Sequence, residues 1–151
     1  MYSSKWPLLV ARVAMSQIFI TSGVMKCMNW SAVAEQMHQK GMAAVPLFLL
    51  AAILVEIVGG VALLVGWKTN LAALVLAAFL IPVTLTFHSF WTVQGHEHMN
   101  QLQHFSKNVT IMGGLLTMAV AGAGSLSVDA MKSRVASTSW SPLPSRSARS
   151  V

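Results

Sequence analysis

Four ionisable residues lie inside apolar stretches long enough to cross a membrane: Arg12, Lys26, Glu56 and His88. Lys107, beside Asn108, stands at the mouth of a further stretch. A charge near the bilayer centre costs roughly 2.5–3.5 kcal/mol on insertion scales. Such side chains persist in lipid when they face one another, water or a ligand. Three kinds of chemistry are open to this set. An ion pair can fix helix register, a carboxylate with a shifted pKa can move protons, and a basic mouth can hold an anionic or quinone-like small ligand.

The spacing says which faces meet. Arg12, Ser16, Phe19, Gly23 and Lys26 recur every three or four residues, so one helix carries them on a single stripe, with Ser22 adjacent. Two cations and small polar residues on one stripe point it inward. The competing reading is that both long cationic side chains snorkel to headgroups. Glu56 stands at the middle of its stretch, and Gly59 and Gly60 follow by about one turn, where they admit a close neighbour. Glu56 is therefore expected to touch a cation of the first helix, as a register pin or as a proton-handling carboxylate. Lys26, His88, Lys107 and Asn108 are expected at one mouth of the bundle, with Glu56 deeper and Arg12 near the other end. His96, Glu97, His98 and His104 crowd a polar stretch read as a loop. Three histidines make weak candidates for zinc or copper, but no recognised ligand pattern is present, and the expectation is a solvated loop without metal.

The elements that must position these residues follow from composition. Of 151 residues, 55% are hydrophobic and 9% charged, against about 25% charged in a typical soluble domain. Mean hydropathy is +0.64. The class is all-α: a four-helix transmembrane bundle in one domain, residues 1–128. Its spans are expected at about 6–28, 45–67, 71–91 and 105–126. Trp6 and Trp30 flank the first as interfacial aromatics, and Arg12 interrupts it, which favours a retained helix over a signal peptide. A short amphipathic helix from about Ser31, its expected N-cap, to Gln39 is expected on the membrane surface. Residues 129–151 read as a basic, Ser/Arg-rich disordered tail.

The net charge of +6 suits anionic lipid and the positive-inside rule, and no nucleic-acid motif accompanies it. Lys5, Arg12, Lys68, Lys132, Arg134, Arg146 and Arg149 outweigh Lys26, Lys40 and Lys107, which predicts both termini in the cytoplasm. One cysteine, Cys27, excludes an internal disulfide or a C-x-x-C redox pair.

Several of these residues also resemble a known family. Arg12, Phe19, Ser22-Gly23 and Lys26 resemble the opening of the DoxX family. Glu56-x-x-Gly59-Gly60, then Gly66-x-x-Thr69 and Ala72-Ala73, resemble its second and third helices; His88 and Phe105-Ser106-Lys107-Asn108 resemble its later segment. The ordered match spans residues 8–128. The resemblance implies a multi-pass protein of the bacterial inner membrane, and an accessory or quinone-facing subunit of a membrane redox complex. No autonomous catalytic motif or G-x-G-x-x-G fingerprint is present, so the chain is at most a subunit of an oxidoreductase. A small proton-coupled transporter and a purely structural membrane protein, alone or as a homo-oligomer, are the alternatives.

Overall fold

The structure is a computed structural model that describes residues 5–138, all helices and connections with no strand among them. Helix α1 covers Trp6–Met28, α2 Trp30–Gln39, α3 Val45–Val65, α4 Thr69–Phe87, α5 Gly95–Ala121 and α6 Val128–Thr138. A single 3-10 turn, Phe90–Thr92, links α4 to α5. Among the described residues, three stretches are long and apolar enough to cross a membrane: Trp6–Met28, Val45–Val65 and Thr69–Thr92.

Glycines set how α1 meets α3. A Cβ at Gly23 would lie 2.6 Å from Ile57, and one at Gly60 would lie 2.8 Å from Ile20. The contacts 23 with 57 and 20 with 60 step in opposite directions along the two helices, so α1 and α3 are antiparallel at near-backbone contact. In lipid, where apolar tails surround apolar helices, this packing replaces the hydrophobic drive as the source of association. The buried face of α1 is Arg12, Ser16, Phe19 and Gly23, the stripe read from spacing.

Helix α3 turns onto α4 through Gly66, whose φ of 71° suits a residue without Cβ, and Lys68, held at φ 47°. Leu76 of α4 then fills the notch at Gly59. Helix α4 runs unbroken through Pro82 and packs on α5, and α5 touches α1 in turn. The main core is Phe19, Leu63, Ala73, Leu76 and Leu115 with their neighbours. A second cluster joins Met37 of α2 to Val45, Leu49 and Ile53 of α3. Large apolar side chains such as Leu54, Val58, Leu71 and Leu74 face outward, as they do on helices with lipid for a solvent.

Three sequence expectations change. The His-rich stretch expected as a loop is the first part of α5, which starts at Gly95. Glu97 sits in its first turn, near the positive helix end, and accepts a 2.6 Å bond from Gln101 one turn on. Ser31 lies inside α2 rather than capping it; Asn29 holds the cap position. The tail is not unstructured from residue 129. Ser127 Oγ accepts the Ala130 N–H at 3.1 Å, capping α6. The Asp129 carboxylate accepts the Lys68 and Thr69 N–H groups at 2.8 and 3.1 Å. The rest of the expected tail, 139–151, lies outside the described residues.

Candidate functional site

The buried polar side chains fall into separate groups. At the first, Lys26 Nζ donates to both oxygens of Glu56, each at 2.8 Å, and to Ser22 Oγ at 2.6 Å. Ser22 donates in turn to Glu56 Oε1 at 3.1 Å. The Glu56 side chain is 6% exposed and that of Lys26 24%. Gly23 makes this possible: its missing side chain lets the Glu56 turn come against α1. Helix geometry then places Ser22 and Lys26 one turn apart over the carboxylate. An ammonium has three donors, and all three are engaged. The group is neutral overall and closed on itself.

The second group ties α4 to α5. Asn108 Nδ2 donates to Thr84 Oγ1 at 3.0 Å, with both residues buried. Beyond it, His88 and His104 stack with ring centroids 5.0 Å apart. Gln101 Nε2 donates to Glu97, so its Oε1, 2.9 Å from His88 Nδ1, accepts the ring proton there. Lys107 is exposed and contacts His104 Nδ1 at 3.2 Å. Burial, then electrostatic repulsion from Lys107 and His88, lowers the His104 pKa below its ordinary 6.5. The Gln101 bond lowers that of Glu97. The histidines do not converge on a point: His98 bonds Val93 O at 3.3 Å and His96 is exposed. Among the described residues no group of three His, Cys, Asp or Glu side chains is placed to hold a metal.

Arg12 stands apart from both. It is 1% exposed, and its Nη2 donates to Leu126 O. Its Nε and Nη1 are buried without an acceptor. The guanidinium lies over Gly66, where any Cβ would collide with Nη1. Asp129 attracts it electrostatically across the turn. Burial raises the Asp129 pKa, but the Thr69 and Lys68 N–H groups and Lys132 outweigh it and leave the net value below 3.8.

Of the residues singled out by sequence, Lys26 and Glu56 meet, with Ser22 between them. His88 reaches Lys107 only through His104, Asn108 pairs with Thr84, and Arg12 is bound elsewhere. Sequence reasoning missed Asp129 and Gln101. Asp129 sits two residues after Ser127, a Ser-x-Asp pattern suited to a helix start; Gln101 left no signal beyond its i,i+4 spacing from Glu97.

Comparison with known proteins gives a consistent group. The DoxX family model matches residues 7–89. The inner membrane protein YqjF of Escherichia coli is 39% identical over 122 residues, covering 80% of this chain and 88% of that protein. The inner membrane protein YphA of the same organism is 28% identical, covering 81% and 87%. The ER-derived vesicles protein ERV29 of Saccharomyces cerevisiae is 31% identical over 53% of this chain but 26% of its own length. No solved structure matches.

Proposed function

From the premise that the chain belongs to the DoxX family and is a multi-pass protein of the bacterial inner membrane, we propose that it is an accessory, non-catalytic subunit of a membrane redox complex. Its helices α1, α3, α4 and α5 form a four-span bundle with both termini in the cytoplasm. The grouping of Arg12, Lys68 and Lys132 around one turn supports that orientation.

The observation that carries the reading is the closed Lys26–Glu56–Ser22 group. Its donors are matched within the protein, so it holds α1 against α3 and leaves no unmatched donor for a reacting molecule. A quinone carbonyl needs a donor, and the Lys26 ammonium has none left. The cluster as it stands does not fit a quinone, and no step is routed through one. What the bundle offers is a wide apolar outer surface, suited to lipid and to a partner's spans. A redox enzyme is the partner class that the family resemblance implies.

Purification from the native membrane in mild detergent, followed by mass spectrometry, tests this. An oxidoreductase subunit in stoichiometric yield is the expected result. A homo-oligomer without partner that carries proton or solute flux in liposomes, abolished by Glu56→Gln, would overturn it.

A further inference from the structure

The outer surface is not uniform. A groove of 420 Å³ runs between α3 and α4 from Leu54 to the turn at Trp67–Lys68. Its floor is formed where side chains are small, at Gly59, Ala62 and Ala72. From Leu54 to the end of α3 at Val65, eleven rises of about 1.5 Å give it a length of roughly 16 Å, about one leaflet of a hydrocarbon core about 30 Å thick.

Its mouth is charged. Lys68 Nζ lies 5.5 Å from the centroid of the Trp67 ring, and Lys132 Nζ of α6 lies 5.8 Å from it. Two ammonium groups gathered on one indole repel each other. The Asp129 carboxylate accepts the Lys68 and Thr69 N–H groups and attracts Lys132 and Arg12, but it is one negative charge among three cations. An anion near the ring would relieve that repulsion, at the depth where tryptophan marks the headgroup layer.

We propose that this groove is a binding site for one anionic phospholipid. An acyl chain lies along Val58, Gly59 and Ala62, and its phosphate meets Lys68 and Lys132 beside Trp67. Folding of α6 completes the site, because it supplies the second lysine. The site does not depend on which partner the protein serves.

Native mass spectrometry of the full chain, released from nanodiscs of mixed phosphatidylglycerol and phosphatidylcholine, tests this. One retained phosphatidylglycerol per chain is expected, preferred about tenfold over phosphatidylcholine. The double variant Lys68→Gln/Lys132→Gln should lose that preference, and Val58→Trp, which fills the groove from its exposed side, should lose the lipid itself. Equal retention of both lipids, an unchanged preference in the double variant, or a dimer that Val58→Trp dissociates would each overturn the proposal.

Discussion

The two inward-facing cations of α1 are handled differently. Lys26 meets a carboxylate on the neighbouring helix and a serine on its own, and every donor is matched. Arg12, three to four turns away, finds one main-chain carbonyl from a connection far along the chain and keeps two donors unmatched. Lys26 is secured by helix register, and Arg12 by the way residues 122–129 fold back over the α3–α4 turn. An ion pair between two helices is a local solution with a full complement of bonds. A guanidinium under a folded-back segment depends on the segment staying in place.

Breaking the first arrangement is expected to cost most. Lys26→Met leaves Glu56 buried and unpaired, and removal of one partner of a buried pair typically costs about 3–5 kcal/mol. Glu56→Gln is expected to cost less, because Lys26 is partly exposed and can turn toward headgroups. Unfolding in detergent with increasing denaturant measures both; equal losses would mean that the two ends are equally buried.

Gly66→Ala attacks the second arrangement. The left-handed backbone alone costs about 1–2 kcal/mol for a residue with Cβ, and the new methyl would displace the Arg12 guanidinium. Faster proteolysis in the segment after Ala121 should accompany the loss. Unchanged proteolysis would show that Arg12 does not hold that segment.

Asp129→Ala removes the acceptor for two N–H groups at the start of α4 and is expected to cost about 1 kcal/mol. The same carboxylate predicts a pH dependence. Its folded pKa is depressed, so its contribution is complete above the ordinary 3.8 and is lost as pH falls through the lower folded value. Hydrogen exchange at Lys68 and Thr69 should therefore accelerate only at strongly acidic pH.

The smallest effect concerns the far end. The His104 pKa is depressed, so protonation opposes the fold. Stability is full above the ordinary 6.5 and declines as pH falls from there toward the folded value. Protection of the first turns of α5, taken relative to the intrinsic exchange rate at each pH, should fall over that window in the parent chain and stay flat in His104→Gln.

Legibility followed the range of the interactions. The inward stripe of α1 was readable because burial at 3.6-residue spacing leaves its mark within one segment. A contact between Glu56 and a cation of α1, Arg12 or Lys26, was readable because an unpaired charge in lipid is costly and few partners existed. The early start of α5 was not, since a polar run with Gln, His and Asn suits a loop as well as a helix until Gln101 bridges Glu97 and His88. The first turns of α6 were hidden for a similar reason. Their stability comes from Asp129 docking on the α4 terminus, some sixty residues earlier in the chain.

Composition and periodicity alone determined that this chain is helical, lives in a membrane and carries a cation stripe facing a central carboxylate, because these depend on solvent and local geometry. Only the tertiary structure decided which cation takes the carboxylate. Lys26 reaches Glu56 because Gly23 and Gly60 set the antiparallel register of α1 and α3. The same register carries Arg12 toward Gly66, beyond reach of any carboxylate on α3, and leaves its burial to the segment that closes over it.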